Sequence, residues 1–285
     1  MQKSGGTVGG VRITAAGFGL EGPRGWAFRG VDVDAEPGSL IAVEGPSGSG
    51  RTSLLLALTG RMKATEGTAG VGAATLPKQL AAVRRVSALA NVAGVTDLDP
   101  ALTVGEHLRE RALLQRRFGG SVRELLRPRT ERAAQARLRI DDALSAAGLD
   151  REALPKGART AVRDLERVEA LRLSVALALV GRPGLLGVDD VDLKLTDAER
   201  GEAWALLRSL AAAGTTVVAV CAQAPEGVVS VSTRARAATA AEEPGEEAGE
   251  DVVEGVAEKA AEESMTESVV QGEESADALA ETGRA

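Results

Sequence analysis

Residues 40–58 constrain the fold more than any other stretch, because a strand-length apolar run leads through a glycine-rich loop into a helix-favouring segment. In such a connection the glycines let backbone N–H groups converge on an anion, and the helix N-terminus adds a favourable dipole. The loop matches the phosphate-loop pattern G-x-x-x-x-G-K-[ST], except that arginine stands at the lysine position. It therefore predicts a phosphate-binding loop and leaves open whether that loop is a working nucleotide site. The loop reads Gly45-Pro46-Ser47-Gly48-Ser49-Gly50-Arg51-Thr52-Ser53.

Strand-like and helix-like segments alternate along the body of the chain, which is typical of an α/β domain with parallel strands. Short β-like pieces within residues 11–33 are broken by a Gly-Pro turn and predict a small antiparallel sheet before the loop. The apolar run 185–188 ends in Asp189 and Asp190, as expected of a strand that is buried on both faces. Further strands are predicted at 86–95 and 215–221, and helices at 50–61, 130–147, 161–180 and 196–210.

An arginine-rich block of helices is predicted between the loop and Asp189. Thr103 with Glu106, and Ser121 with Glu124, have the spacing of a capping box at a helix start. The arginines fit either a solvated face or a surface for an anionic partner, and we favour the solvated face. Aromatic side chains do not interleave with them, so nucleic acid is not an expected partner. They are Arg109, Arg111, Arg116, Arg117, Arg123, Arg127, Arg129, Arg132, Arg137 and Arg139.

The charge of the chain is divided unevenly between its body and its C-terminal end. From Ala241 onward there are 15 acidic and two basic residues, so this end carries about −13 and the remainder about +6. Glu, Ala, Gly and Ser dominate after residue 233, and aromatic residues are absent there. Such a segment cannot bury enough surface to offset its ordering entropy, so residues 233–285 are predicted to be a disordered acidic tail.

Two absences in the sequence narrow the class of protein. Cys221 is the only cysteine, which excludes an intrachain disulfide and a cysteine-cluster metal site. No uninterrupted apolar run approaches the ~20 residues that span a bilayer, and the first residues lack the apolar region of a secretory signal. We therefore expect a cytoplasmic protein whose attachment to a membrane comes through a partner.

At three places the sequence resembles the ATP-binding cassette (ABC) family, the nucleotide-binding subunits of ABC transporters. Residues 45–53 are similar to the family's Walker A loop, 102–108 to the segment that opens its helical subdomain, and 178–189 to its pre-Walker B and Walker B region. The resemblance implies a P-loop NTPase fold of the ABC type. Its expected parts are a mostly parallel core sheet, an N-terminal antiparallel β subdomain and a helical subdomain at about 100–182, within a domain at 10–232.

The resemblance also implies ATP and Mg²⁺ as ligands. The loop from Gly45 to Ser53 would bind the phosphates, and Thr52 with Asp189 would hold Mg²⁺. The family's general-base glutamate falls on Asp190, the candidate catalytic residue of this chain. A shorter side chain lies about one bond length further from the attacking water, and such a misplacement can cost on the order of 100-fold in rate.

Other family motifs are altered in this sequence. The signature motif, Leu-Ser-Gly-Gly-Gln in the family, falls on residues 165–169, which read Leu-Glu-Arg-Val-Glu. The Q-loop glutamine is expected near residues 92–95, where there is none, and Asn91 is the nearest substitute. The switch histidine would fall near Ala222. The only histidine, His107, is predicted to lie on the surface of the helical block instead.

The aromatic that stacks on adenine in the family has no clear counterpart, since neither Phe18 nor Trp26 falls on its position. Trp204 is predicted to be a core residue. Thr196, which stands where the family's D-loop has aspartate, is predicted to cap the following helix together with Glu199.

Two functions follow from this combination. The first is an ATP-binding subunit with weak or impaired hydrolysis, coupled to a membrane-spanning transporter subunit at the inner face of the cell membrane. The alternative is an inactive pseudoenzyme that serves a membrane protein as adaptor or regulatory scaffold. Domains of the family pair head to tail, with ATP between the Walker A loop of one and the signature motif of the other, so the resemblance implies a homodimer or heterodimer.

Overall fold

The computed structural model describes residues 9–118 and 128–233. The predicted Ser121–Glu124 pair and, from residue 234 onward, the predicted acidic tail lie outside the described residues. The strands are β1 (Ile13–Gly22), β2 (Gly25–Ala35), β3 (Leu40–Glu44), β4 (Glu66–Val71), β5 (Ala74–Leu76), β6 (Ser87–Ala90), β7 (Leu185–Val188), β8 (Thr216–Cys221) and β9 (Val229–Ser232). The helices are α1 (Arg51–Leu58), α2 (Leu80–Val86), α3 (Val104–Phe118), α4 (Arg129–Ala146), α5 (Arg167–Leu179) and α6 (Asp197–Ala212).

The strands form one antiparallel and one parallel sheet, which confirms the predicted α/β class. The antiparallel sheet has the order β2-β1-β4-β5 and the parallel sheet the order β6-β7-β8-β3-β9. All strand pairs of the second sheet are parallel. The carboxyl ends of its strands therefore meet at one edge, which is where ligands bind in open α/β sheets.

The two faces of the parallel sheet are buried in two different hydrophobic clusters. Ile41 and Val43 of β3 pack with α1 and the antiparallel sheet. Ala42 of β3, with Val217 and Ala219 of β8, packs on the opposite face against α5 and α6. This alternation follows from the period of two in a strand, and it leaves no solvated face, as the continuous apolar runs predict.

Three boundaries differ from the sequence prediction. The helix predicted over 161–180 begins only at Arg167, because Ala161 pairs with Thr103 in a β-bridge and a short 3₁₀ turn follows. The strand predicted over 86–95 is shorter, since α2 precedes it and Asn91, in the left-handed region with φ 57°, ends it. Strands β4 and β5, rich in Gly, Ala and Thr, were not predicted as strands.

His107 was predicted to lie on the surface, and this prediction is wrong. Its side chain on α3 is buried, with 7% of the residue exposed, and Nε2 lies 3.3 Å from the carbonyl oxygen of Asp99. That carbonyl belongs to the turn before α3, so the imidazole ties the helix to its own entry turn. The capping box predicted for Thr103 and Glu106 at the same helix start is confirmed.

The cap predicted at the start of α6 is also confirmed. The backbone N–H of Glu199 donates to Thr196 Oγ1 at 3.3 Å, and the Glu199 carboxylate accepts the Thr196 backbone N–H at 2.7 Å. Hydrogen bonds from the Thr196 backbone and hydroxyl hold the pKa of Glu199 below its ordinary value of 4.5. Because the folded-state pKa is depressed, this contribution to stability is present above the ordinary value and is lost as the pH falls through the folded-state value.

Replacing Thr196 with alanine should lower the free energy of unfolding by about 1 kcal/mol at pH 7, because the Glu199 N–H loses its acceptor and the Glu199 carboxylate loses the hydroxyl that donates to it. The loss should shrink as the pH falls below 4.5 and Glu199 becomes protonated. Urea unfolding of both proteins at neutral and acidic pH measures this. An equal loss at both pH values would mean that the carboxylate of Glu199 has no part in the cap.

Among the described residues, no helix combines the length and the apolar character that crossing a bilayer requires.

Candidate functional site

The phosphate loop, residues 45–53, connects the carboxyl end of β3 to α1 at the edge where the parallel strands end. Gly45, Gly48 and Gly50 have φ values of 154°, 80° and 85°, a region that side chains rarely adopt. A Cβ on Gly50 would lie 1.8 Å from the carbonyl oxygen of Ala27 in β2, and one on Gly45 would lie 2.6 Å from Ser49 Oγ. Only glycine therefore fits at Gly50, where the loop touches the antiparallel sheet.

Thr52 and Asp189, predicted as the metal pair, are brought together by the fold. Thr52 lies in the first turn of α1 and donates from Oγ1 to Asp189 Oδ2 at 2.8 Å. Asp189 directly follows β7 and is 3% exposed. Burial raises its pKa, although the Thr52 hydrogen bond and the nearby charge of Arg51 act in the opposite direction.

This pair suits Mg²⁺ bound together with a nucleotide. Mg²⁺ prefers oxygen ligands, and it is usually held by one or two carboxylates plus phosphate oxygens and water rather than by an all-protein cage. The described residues contain no group of three or more acidic, histidine or cysteine side chains around a possible metal position. A hydroxyl beside one buried carboxylate, below a phosphate loop, is the donor set that fits this kind of site.

Arg51, which stands at the lysine position, does not point into open solvent. Its Nη1 donates to the carbonyl oxygen of Cys221, the last residue of β8. Ser49 of the loop shares a hydrogen bond of 2.7 Å with the hydroxyl of Thr233. Hydrogen bonds thus join the loop to two neighbouring chain segments, and the guanidinium of Arg51 lies at the carboxyl edge of the sheet.

Asn91 lies beside Asp189, although the sequence placed the Q-loop position further along, near 92–95. It directly follows β6, and its Nδ2 donates to the backbone carbonyl of Asp189 at 2.9 Å. Its own backbone N–H donates to Ser174 Oγ of α5 at 2.7 Å. A polar residue that tolerates φ above zero, immediately after an apolar strand, is the sequence signal that marks this position.

Asp190, the candidate catalytic residue, has its backbone in the left-handed region with φ 45°. Its N–H donates to the Asp189 carboxylate at 3.1 Å, which fixes the direction of the turn after β7. Asp192, which sequence reasoning missed, accepts the N–H of Ala222 at 2.7 Å. Ala222, near which the switch histidine was expected, is thus an exposed residue after β8. Its backbone N–H is bound by Asp192, and no histidine stands there.

The altered signature segment, residues 165–169, is engaged with its own chain. The Glu166 N–H donates to the Glu169 carboxylate at 2.9 Å at the start of α5. The Arg167 guanidinium donates to the carbonyl oxygen of Lys194, and Val168 is buried. Glu166 thus stands where the family pattern has serine, and an arginine and a core valine stand where it has two glycines.

The two aromatic residues considered for adenine stacking are in different environments, and both already contact another side chain. Phe18 is fully buried and packs on Phe28, with 5.9 Å between ring centroids. Trp26 is 40% exposed, but the Arg29 guanidinium lies 4.4 Å from the centroid of its ring. Trp204 is buried in the core, as predicted.

Comparison with known proteins shows which family shares these features. The family model for ABC transporters matches residues 28–192. The chain is 31% identical over 189 residues to the Nod factor export ATP-binding protein I of Cupriavidus metallidurans, covering 66% of this chain and 55% of that protein. It is 34% identical over 201 residues to a putative ABC transporter ATP-binding protein of Streptomyces avermitilis, covering 67% and 30%. The chain thus spans about half the length, or less, of these curated relatives.

Solved structures share the fold. A dimeric ATP-binding cassette bound to ADP and Pi superposes with a TM-score of 0.56 at 22% identity, covering 74% of this chain and 88% of that one. A subunit of an ABC transporter complex from Clostridium perfringens gives a TM-score of 0.58 at 18% identity, covering 74% and 78%. At such identities the likeness concerns the fold, and it confirms the P-loop architecture predicted from the sequence.

Proposed function

The chain belongs to the ABC transporter family, and from that premise we propose that it binds Mg-ATP on the phosphate loop as an ATP-binding subunit of a transporter. The observation that carries this proposal is the hydrogen bond between Thr52 and the buried Asp189 directly below the loop. A buried charge is costly unless it is paired with an opposite charge, and a cation bound with phosphate would supply that charge.

Each part of the site has a task in this proposal. Backbone N–H groups between Gly45 and Ser53 cradle the phosphates, and Arg51 supplies a permanent charge that pairs with phosphate oxygens. Thr52 and Asp189 would hold Mg²⁺, which would supply positive charge next to the phosphates during phosphoryl transfer.

We propose that hydrolysis is weak. Asp190 is the candidate general base, with a side chain one methylene shorter than the family's glutamate. In a head-to-tail pair, the signature segment of one chain faces the phosphates held by the other. Glu166 and Glu169 would then place negative charge near a negatively charged ligand, which is unfavourable.

The proposed partners are a membrane-spanning transporter subunit and a second nucleotide-binding domain, identical or different. One relative is named for export and one solved structure for a dimeric cassette. Work at the inner face of the cell membrane, and a domain that extends over residues 10–232, are part of the same proposal. A heterodimer with an intact partner would keep one composite site with an unaltered signature motif, because the altered signature of this chain faces the partner's loop and not its own.

A second function, an adaptor or regulatory scaffold without turnover, is favoured by one specific observation. Val168 is buried in the core and Arg167 is bonded to Lys194, so this segment now serves the packing of its own chain. In that case nucleotide binding is structural and the chain acts through its contacts with a membrane protein.

Thermal unfolding with and without Mg-ATP tests the site. A ligand at ten times its Kd stabilises by about 1.4 kcal/mol, which is a rise in Tm of about 3–6 °C for a domain of this size. Asp189→Asn should lose the part of this rise that depends on Mg²⁺, because an amide cannot replace the carboxylate as a ligand. Asp190→Asn is the matched control, since it removes the same charge one residue on and should keep the rise. No shift in the unaltered protein at millimolar Mg-ATP would overturn the proposal.

A further inference from the structure

Three arginines gather at the edge of the parallel sheet opposite to the phosphate loop. Arg61 follows α1 and bonds to Ser87, the first residue of β6. Arg84 lies on α2 and Arg111 on α3. The strands of this sheet are parallel, so the start of β6 lies at the edge opposite to the loop, about 13 Å away along the strand direction alone, the length of four strand residues. We call Arg61, Arg84 and Arg111 the arginine cluster.

Every described hydrogen-bond acceptor of the cluster is a neutral oxygen. Arg61 Nη1 donates to the Thr59 carbonyl at 2.7 Å and to Ser87 Oγ at 2.9 Å. Arg84 Nη1 donates to the Gly60 carbonyl at 2.8 Å, and Arg111 Nε to the Leu177 carbonyl at 2.8 Å. These carbonyls lie at the ends of α1 and α5, so the arginines also meet the negative ends of two helix dipoles.

The helix ends do not balance the charge of the cluster. A helix C-terminus carries roughly half an elementary charge, against three guanidinium groups. Within residues 9–118 and 128–233 no carboxylate forms an ion pair with any of the three, whereas Arg12, Arg29, Arg151, Arg172 and Arg182 each pair with at least one carboxylate. Burial, and repulsion from Arg84 and Arg111, lower the pKa of Arg61 to about 10.

We propose that the arginine cluster binds a phosphate group from outside the chain, carried by a free phosphate compound or by the headgroup of an anionic phospholipid. A guanidinium has five N–H donors in a planar fork that matches phosphate oxygens. Arg84 and Arg111 each use one of these donors in the contacts above. Arg61 and Arg111 are half-buried and would meet the phosphate from the protein side, and the exposed Arg84 would present its remaining donors from the solvent side.

The test uses two variants, Arg84→Gln and Arg111→Gln, in the full chain, with Arg24→Gln as control. Arg24 lies in the exposed turn between β1 and β2 and loses the same charge. In the first arm, Tm is followed against inorganic phosphate and against glycerol phosphate, with chloride at equal ionic strength. In the second arm, flotation measures binding to phosphatidylcholine vesicles with and without phosphatidic acid. Phosphate also stabilises proteins by exclusion from their surface, and this effect is common to all the variants.

The expected result is that Arg84→Gln and Arg111→Gln weaken the response about tenfold in at least one arm, the loss expected for a charge-assisted hydrogen bond, while Arg24→Gln does not. A response to soluble phosphates identifies a free compound as the source, and a response to phosphatidic acid alone identifies the lipid. Equal responses of all three variants in both arms would overturn the proposal. The phosphate loop is intact in each variant, so the shift with Mg-ATP should be unchanged, which separates this result from that of the proposed function.

Discussion

Replacing Gly50 with alanine is expected to lower the free energy of unfolding by about 2–5 kcal/mol and to abolish the stabilisation by Mg-ATP. Two costs add in this estimate: about 1–2 kcal/mol for a side chain at positive φ and about 1–3 kcal/mol for forcing atoms into a filled space. The backbone at Gly50 has φ 85°, and a Cβ would lie 1.8 Å from the carbonyl oxygen of Ala27. Since the obstacle is backbone, the loop or strand β2 must move.

Gly48→Ala is the matched control within the same loop. Its φ of 80° is nearly the same as that of Gly50, but a Cβ there would meet nothing within 4 Å. It should therefore cost only the conformational part, about 1–2 kcal/mol. Urea unfolding and the Tm in the presence of Mg-ATP measure both effects. If the two variants lost the same stability, the contact between the loop and β2 would not contribute.

The phosphate loop could be predicted from the sequence, but its contact with Ala27 could not. The glycine pattern and the acid at the end of β7 are local signals, because strand, loop and helix start lie within about 20 residues of one another. The sequence therefore predicted the phosphate loop and the strand that ends in Asp189. The prediction that Thr52 and Asp189 belong to one site came from the family resemblance, because a contact across 137 positions depends on the order of strands in the sheet.

The features that the sequence missed depend on contacts between distant segments. The helix start near Arg167 was misplaced because Ala161 pairs with Thr103. The burial of His107 follows from packing that its polar neighbours on α3 do not reveal. The position of Asn91 beside Asp189 required knowing where β6 ends, and a strand of four residues gives little periodicity to locate its end. The arginine cluster brings together side chains from the end of α1, from α2 and from α3, which no local pattern joins.

The signature glycines of the family could not be restored at Arg167 and Val168 without loss of packing. Val168 fills a core position, and Arg167 donates a hydrogen bond to the carbonyl oxygen of Lys194. Val168→Gly would leave a cavity, with a cost of the kind that follows removal of buried methyl groups. The loss of the signature is therefore built into the packing, whereas the change at Asp190 concerns one side chain at the surface of the site.

Asp190→Glu is accordingly the substitution from which we expect the largest gain in activity. The backbone at this position is held by the N–H bond to Asp189, so the added methylene moves only the carboxylate, by about the distance that can cost on the order of 100-fold in rate. Phosphate release by the purified chain should rise by up to about this factor, and further with Arg51→Lys, because a compact ammonium fits a phosphate loop with less bulk. Asp190→Asn is the control and should remove whatever turnover the unaltered protein has.

A gain with glutamate would identify an enzyme weakened mainly at its base. No change with either substitution, together with an intact Mg-ATP shift, would mean that the chain binds nucleotide as a scaffold and that its altered signature, not its short general base, decides its function.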